Sequence, residues 1–451
     1  MTQAASDKPE FSSLSPAEFF YRNRHMAGFG NPTQAAYTSV RELVENSLDS
    51  CEDALRLPKI LVRLECISVD TISLTVSDNG LGIPLDNVPE AFGRVLYGSK
   101  YGSRENRGTF GLGVTMAVLY GQITTDTPVT VHTRTNTSIG TEFRIFIDIE
   151  ENSPIVVSRR SREREEVGTT VTIDLKGNFA RASERIIQYL KLTTVSTPHA
   201  AIDFRMPGKD PITMGGWAAE IPPVPVLAKP HPRAADVELL RRLVSQFAGL
   251  KLRDFLIRAF QQVGPRLADR FLRFVSISPT LPVTSLSRHD LAHLSTKLRK
   301  FDGFGSPVTS CLRPIGKSAF LTSVISTFDV SEARFGKRGP FEWQGIPFVL
   351  EGVIATTDDK GATDVPNLFR FANRVPLLYD ASDDVFTKVL RKVNWTRYGL
   401  TSSNSVLLFV NLSSTQVPYS AAGKQAVTPL NPIESEALAL FRSLGRSLAK
   451  S

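Results

Sequence analysis

Residues that could do chemistry on a ligand appear first in the stretch RELVENSLDS, residues 41–50. Glu42 and Asn46 are four residues apart, so a helix would stack a carboxylate on an amide along one face. The same helix must turn Val44 and Leu48 toward a core. A polar pair on such a helix is either a solvated face or part of a binding site, and this stretch alone leaves both possibilities open.

Glycine-rich turns follow that helix in two places. In SDNGLGIP, Asp78 ends a strand just before two glycines, so a carboxylate borders a backbone that a flat ligand can approach closely. In RGTFGLGV, Gly108, Gly111 and Gly113 lead into a helix whose first N–H groups and positive dipole end suit phosphates. Each turn alone is common. The chain has neither G-x-x-x-x-G-K-[ST] nor G-x-G-x-x-G after a first strand, which excludes the P-loop and Rossmann folds.

The elements that would position these residues form an α+β unit. Alternating apolar residues predict strands over residues 59–68 and 71–78. Helical spacing predicts helices over residues 16–28 and 33–55, and the proline-rich residues 220–232 are typical of a linker. The other predicted elements are helices near 88–98, 113–121 and 179–192 and strands in TPVTVHTRT, TEFRIFIDI, GTTVTIDL and 200–205.

Two further units follow the linker. Residues 236–300 carry only helical patterns, where Gly264 is predicted to end one helix and Pro265 to begin the next. From about residue 306 strands are predicted again, in GIPFVLEGVIATT, NLFRFANRVPLLYD and NSVLLFVNLSS. The helix DDVFTKVLRKVNW between the last two indicates a βαβ crossover.

Composition limits the class of protein. The chain has 451 residues, 41% of them hydrophobic and 22% charged, which is enough for two or three globular domains. It has no apolar run long enough to cross a bilayer and no secretory signal at its start, so we expect no membrane association. Three scattered cysteines indicate reduced thiols rather than disulfides or a zinc site.

The basic charge is concentrated in one segment. Residues 229–305 hold fourteen Lys or Arg against six Asp or Glu, which accounts for the whole net charge of +8. Within this segment Arg266, Arg270 and Arg273 share one helix face. The stripe is either solvated or contacts a nucleic-acid phosphate backbone without reading its sequence.

The order of the motifs is more specific than any one of them. An E-x-x-x-N helix, D-x-G-x-G, G-x-x-G-x-G and the GTT at 168–170 resemble the Bergerat ATP-binding fold of GHKL ATPases. Six segments are similar to the B-subunit family of type IIB DNA topoisomerases (topoisomerase VI), in register from about residue 15 to 430. They are SPAEFFYRNRHMAGFGNP, RELVENSLDS, AFGRVLYGSKY, RGTFGLGV, KPHP and VPYSAAGKQAV.

That resemblance implies a multidomain α+β fold. Residues 1–228 would form a Bergerat (GHKL) ATPase α/β sandwich with an N-terminal strap, and residues 229–305 a small helical helix-two-turn-helix domain. Residues 306–451 would form an α/β transducer domain with the βαβ crossover and a short C-terminal helix. In the family that last helix is a long stalk that grips the A subunit, whereas roughly eighteen residues here would give about 27 Å. We therefore expect either a short lever or a truncated or divergent member.

The resemblance also implies ATP and Mg²⁺ as cofactors. Glu42 would be the general base on the attacking water, Asn46 would bind Mg²⁺, and Asp78 would accept a hydrogen bond from the adenine amino group. Lys424 would reach the γ-phosphate from the third domain, and Asp49 would either brace the site or be solvated. The other implied nucleotide contacts are Ser99, Lys100, Gly108, Thr109, Phe110, Gly111, Leu112, Gly113, Val114, Thr115 and Thr169.

The implied function is that of the ATP-hydrolysing B subunit. ATP would close a B–B homodimer as a gate for double-stranded DNA, and a separate A-type subunit with the catalytic tyrosine would cleave DNA within an A2B2 heterotetramer. The expected location is the nucleoid in the cytoplasm of a prokaryote, or the nucleus of a eukaryote. The alternative is a nucleotide-dependent dimerising scaffold or regulatory protein without strand passage. Thr115, where related sequences often carry lysine, and the short final helix favour that alternative.

Overall fold

Two β-sheets with their packed helices and a separate group of helices make up the computed structural model, which describes residues 13–98, 104–108, 111–357, 364–400, 405–421 and 423–449. The α-helices of these residues are α1 Pro16–Arg22, α2 Pro32–Asp53, α3 Val88–Gly93, α4 Gly113–Thr125, α5 Phe179–Ser196, α6 Val237–Gln246, α7 Leu252–Ala259, α8 Pro265–Val275, α9 Arg288–Lys300, α10 Lys317–Thr327, α11 Val385–Lys392 and α12 Asn431–Leu448. The strands are β1 Lys59–Cys66, β2 Thr71–Ser77, β3 Val129–Arg134, β4 Thr141–Asp148, β5 Ser153–Ser161, β6 Gly168–Lys176, β7 Ala201–Arg205, β8 Ile212–Gly215, β9 Glu332–Trp343, β10 Ile346–Thr357, β11 Asn367–Ala372, β12 Val375–Pro376 and β13 Ser405–Ser414.

The first sheet has eight strands in the order β5-β4-β3-β6-β2-β1-β7-β8. All its neighbouring strands are antiparallel except β1 and β7. Register follows the apolar alternation: Val62 pairs with Val76 and Leu64 with Leu74, and all four side chains are buried. Helices α2, α4 and α5 pack on this sheet or on one another, which gives the predicted α/β sandwich.

Helix α2 is the central helix of this layer. Its start is fixed by Pro32 in the first turn and by Asn31, whose side chain accepts a hydrogen bond from the N–H of Gln34 at 2.9 Å. It lies against strands β1, β2 and β6 and against α4 and α5, so 16 of its 22 residues are buried. Its charged residues are therefore enclosed rather than solvated.

The helices α6 to α9 surround an apolar core of their own, in which Phe255, Phe260 and Phe271 are fully buried. Pro265 opens α8 as predicted. Gly264 does not end the preceding helix, since α7 stops at Ala259 and Gly264 is the residue that caps α8.

The second sheet has the order β12-β11-β13-β10-β9. The predicted βαβ crossover is present, because β11 and β13 are parallel neighbours joined through α11. The sequence patterns missed α10, whose KSAFLTSVIST has no clear apolar stripe, and β9, an edge strand without alternation. The segment NLFRFANRVPLLYD is not one strand, since Asn373 and Arg374 adopt positive φ of 49° and 65° and reverse the chain between β11 and β12.

A cluster of apolar side chains connects helix α5, which packs beside the first sheet, with the second sheet. Leu192 and Val195 at the end of α5 belong to the same core cluster as Phe320 of α10 and Phe371 and Phe409 of the second sheet. Helix α12 packs back on β9 and β10. No helix within the described ranges is both long enough and apolar enough to cross a membrane. The domain limits 1–228, 229–305 and 306–451 stay predictions.

Candidate active site

A cavity of about 630 Å³ opens between α2, the end of β2, the N-terminus of α4 and the loop before α12. Its walls combine apolar side chains with a few convergent polar groups, which is typical of small-molecule sites. The predicted site residues that line it are Glu42, Asn46, Asp78, Gly108, Gly111, Leu112, Gly113, Val114, Thr115, Thr169 and Lys424. Ser99, Lys100, Thr109 and Phe110 lie outside the described residues.

Glu42 and Asn46 occupy the face of α2 that borders the cavity. The Asn46 amide nitrogen donates to the Glu42 main-chain oxygen at 3.0 Å, which fixes the orientation of the amide. The Glu42 carboxylate accepts a hydrogen bond from the Arg41 guanidinium and is 6% exposed. The helix therefore holds a carboxylate and an amide at fixed positions beside the cavity.

The N-terminus of α4 meets that carboxylate. A Cβ built on Gly113 would lie 1.7 Å from Glu42 Oε2, so only glycine leaves room for the carboxylate here. Among the described residues no side chain caps this helix start, and Gly111 just before it takes a φ of +63°. The Thr115 hydroxyl donates to the Leu112 main-chain oxygen at 3.1 Å, so it is used within the helix turn. The main-chain N–H groups of the first turn therefore offer donors of the kind that bind an anionic group.

Asp78 is a buried carboxylate at the other end of the cavity. It accepts hydrogen bonds from the Ser47 hydroxyl at 3.1 Å, the Gly80 N–H at 2.9 Å and the Thr169 N–H at 3.2 Å. Burial raises the pKa of Asp78 in spite of these three donors. Thr169 is held in turn by its hydroxyl contact of 3.2 Å with the Thr133 hydroxyl. The carboxylate is therefore rigidly placed for a ligand that donates a hydrogen bond.

Lys424 reaches the cavity from the far end of the chain. It is 5% exposed, has a positive φ of 52°, and its Nζ donates to the Arg107 main-chain oxygen at 3.0 Å. The neighbouring Gly423 main-chain oxygen accepts a hydrogen bond from Arg41 at 2.9 Å. The loop before α12 is therefore docked on α2 and on the residue that precedes Gly108.

The structure also answers the question about Asp49. Asp49 is buried and accepts a hydrogen bond from the Arg107 guanidinium at 2.8 Å, so it braces the segment that leads into the glycine-rich turn. Sequence reasoning missed Arg41 and Arg107, although each directly precedes a predicted site residue. Only three-dimensional contacts reveal their partners, because an arginine next to a motif is usually solvated.

A magnesium ion would be held here by few protein atoms. The described part of the chain contains no cluster of three His, Cys, Asp or Glu side chains that could bind a metal. The Asn46 nitrogen donates to the helix backbone, and the amide oxygen is the atom of this side chain with the chemistry of a hard-cation ligand. Mg²⁺ keeps several waters and binds through one or two protein oxygens plus substrate phosphates. The site fits an ion that arrives with a nucleotide.

Comparison with known proteins agrees with this geometry. Residues 32–151 match the family model described as histidine kinase-, DNA gyrase B-, and HSP90-like ATPase. Residues 307–451 match the model of the topoisomerase VI B subunit transducer. The B subunits of type 2 DNA topoisomerase 6 from Saccharolobus islandicus (strain Y.N.15.51) and Saccharolobus solfataricus (strain P2) are each 37% identical over 450 residues, covering 98% of this chain and 85% of theirs. The ATPase region of Saccharomyces cerevisiae topoisomerase II aligns at 11% identity over 98% of each chain, with a TM-score of 0.47 that is too low to add weight.

The ATPase match and the cavity define a nucleotide-binding ATPase of the GHKL class. Its relatives identify the family within this class, since they are 37% identical over 98% of the chain. The chain belongs to the family of type 2 DNA topoisomerase 6 B subunits. The predicted fold class of GHKL ATPase and transducer is confirmed, and so is the ATP-driven role of a topoisomerase B subunit.

Gly113→Ala should slow ATP hydrolysis without unfolding the protein. Its Cβ would displace Glu42 Oε2, which is the end of a flexible side chain, so the carboxylate would move and not the helix. A displacement near 1 Å can cost on the order of 100-fold in turnover. Steady-state turnover, the nucleotide dissociation constant and the melting temperature would be measured beside Gly249→Ala, where a Cβ meets no described atom within 4 Å. Turnover equal to that of the control would contradict the assigned position of Glu42.

Proposed function

We propose that Mg²⁺ and ATP bind in this cavity and that the residues bordering it carry out the ATP hydrolysis of this topoisomerase B subunit. The observation that carries the proposal is that Glu42, Asn46, Asp78, the start of α4 and Lys424 border one cavity. Asp78 offers an acceptor for adenine. The start of α4 offers main-chain donors, and Lys424 a cation, for the phosphates.

Each group has one role in the proposal. Asp78 accepts the adenine amino hydrogen, and Thr169 supports that carboxylate through its main-chain N–H. The first turn of α4 binds the phosphates with its main-chain N–H groups. Asn46 would hold Mg²⁺, which when bound neutralises phosphate charge. Ser99, Lys100, Thr109 and Phe110 complete the nucleotide contacts as predicted from the family resemblance.

Hydrolysis needs a base and a place for negative charge. A water oxygen bonds to the γ-phosphorus while the bond from that phosphorus to the bridging oxygen of ADP breaks, and the water's proton passes to Glu42. Lys424 supplies a positive charge as charge develops on the transferring group. Since this lysine belongs to the second sheet's part of the chain, hydrolysis depends on the docked loop.

The partners follow from family membership. The relatives are named as B subunits, so we infer an A-type subunit that carries the catalytic tyrosine and cleaves double-stranded DNA. ATP binding closes a B–B homodimer, and an A2B2 heterotetramer is the assembly we propose. The enzyme works where its DNA is, at the nucleoid in the cytoplasm of a prokaryote or in the nucleus of a eukaryote.

The basic stripe on α8 is the proposed contact to the DNA backbone. Arg266, Arg270 and Arg273 are exposed, while Phe271 and Val275 of the same helix are buried in the helical core. Three guanidinium groups on one solvent-facing side attract phosphates at any sequence.

Glu42→Ala tests the hydrolytic role. The variant should bind ATP nearly as well as the wild type, because the base acts on water, while turnover falls on the order of 100-fold or more. Turnover and nucleotide affinity would be measured together, with Glu65→Ala, an exposed residue of β1, as a control. If wild type and Glu42→Ala hydrolyse ATP equally, Glu42 is not the base. If the wild type binds ATP and dimerises without hydrolysis, the scaffold alternative holds.

Charge reversal of Arg266, Arg270 and Arg273 to Glu tests the DNA interaction. Affinity for duplex DNA should fall, and the slope of log affinity against log salt should flatten by about 3, since each phosphate that is no longer neutralised changes the slope by about 0.9. The matched control reverses three exposed cations of the same helical unit, Arg241, Arg242 and Lys251. An unchanged slope in the stripe variant, or an equal change in the control, would show that the stripe is only a solvated face.

A further inference from the structure

Helix α2 carries a second charged face that the proposed chemistry does not use. Arg41, Glu45, Asp49 and Glu52 recur at helical spacing, and all four are buried. This face points away from solvent. Its hydrogen-bond partners include Arg107, which precedes the glycine-rich turn, and Gly423 and Arg374, which belong to the part of the chain that holds the second sheet. Buried charges are retained at this density only when each one has a partner.

Arg41 is the member of this face that contacts both Glu42 and the loop that carries Lys424. Its guanidinium donates to Glu42 Oε1 and, through Nη1, to the Gly423 main-chain oxygen at 2.9 Å. Its Nε lies 3.4 Å from Glu45 Oε1. Gly423 directly precedes Lys424, so one buried side chain connects the proposed base with the loop that carries the proposed phosphate-binding cation.

The Arg41 guanidinium stays protonated and positively charged in spite of its burial. Burial alone would lower the pKa of its guanidinium, but Glu42 and Glu45 raise that pKa above its usual range. Its planar group offers several donors in a fixed arrangement, so it can hold a carboxylate oxygen and a carbonyl oxygen together. A lysine at the same position has a single nitrogen and a different reach.

We infer that Arg41 is a positioning residue that aligns the Glu42 carboxylate only when the Lys424 loop is docked. The inference rests on the proposed function of Glu42 and Lys424. When the loop is docked, the Gly423 carbonyl fixes one edge of the guanidinium and thereby the oxygen of Glu42 that the other edge holds. When the loop withdraws, Arg41 loses that fixed acceptor and the carboxylate loses its alignment. Hydrolysis is thus prevented until both parts of the chain are in place.

Arg41→Lys and Arg41→Gln in the full chain test this role. Turnover should fall on the order of 10- to 100-fold while affinity for a non-hydrolysable ATP analogue changes less than about threefold, because alignment and not nucleotide binding is impaired. Lysine, which keeps the charge, should not restore turnover. Arg233→Lys is the control, since Arg233 is a half-buried arginine paired with Glu342 that does not line the cavity.

A second measurement leaves Arg41 intact. Coupling is reciprocal, so Glu42→Gln should loosen the loop: amide hydrogen exchange in residues 417–428 should become faster, and exchange in β4 should not. Wild-type turnover in Arg41→Lys, an equal loss of affinity and turnover, or unchanged loop exchange in Glu42→Gln would each overturn the inference. Failure of the proposed function would give a different result, because Glu42→Ala would then hydrolyse ATP at the wild-type rate.

Discussion

One buried carboxylate, that of Glu52 near the end of α2, ties distant parts of the chain together. Arg374 donates to its two oxygens at 2.7 and 2.9 Å, Arg107 at 2.9 and 3.0 Å, and Arg313 and His199 complete the cluster. Burial alone would raise the pKa of Glu52, but Arg107 and Arg374 hold it well below its usual range. Breaking a buried charge pair costs about 3–5 kcal/mol. The segment before the glycine-rich turn and the β11–β12 turn are therefore held against α2 at one point.

That constraint explains why a helix so rich in charge can be the centre of the fold. One face of α2 presents Glu42 and Asn46 to the cavity, and the other pairs Arg41, Asp49 and Glu52 with the rest of the chain. Both faces belong to helix α2. A shift of the second sheet relative to the first would therefore act on the site through this helix. The nucleotide site and the junction between the two layers are parts of one structure.

The cavity side of this helix was predicted from the order of the motifs and the family resemblance, since the spacing of Glu42 and Asn46 alone left a solvated face possible. Glu42 and Asn46 are four residues apart, and Asp78 and Gly113 belong to glycine-containing motifs. At Gly113 the glycine is needed for close approach, because a Cβ there would overlap Glu42 Oε2. The resemblance supplied Lys424, more than three hundred residues away. These positions are determined by nearby residues or by a familiar motif.

The junction could not be predicted in the same way. Glu52 finds Arg313 and Arg374 at sequence separations of 261 and 322 residues, and nothing in a single sequence pairs them. Helix α10 and edge strand β9 were missed because their patterns of apolar residues are weak and tertiary packing decides their form.

The central claim is that one cavity senses nucleotide with groups from both layers, and a distance measurement with labels on the first sheet and on α12 tests it most directly. In the wild type, a non-hydrolysable ATP analogue should change that distance, because the proposed contact of Lys424 with the nucleotide would move the second sheet with it. In Lys424→Ala the analogue should still bind, through Asp78 and the start of α4, and the distance should stay the same. If Lys424→Ala shows the wild-type change of distance and normal hydrolysis, Lys424 is an ordinary loop lysine and the account is wrong.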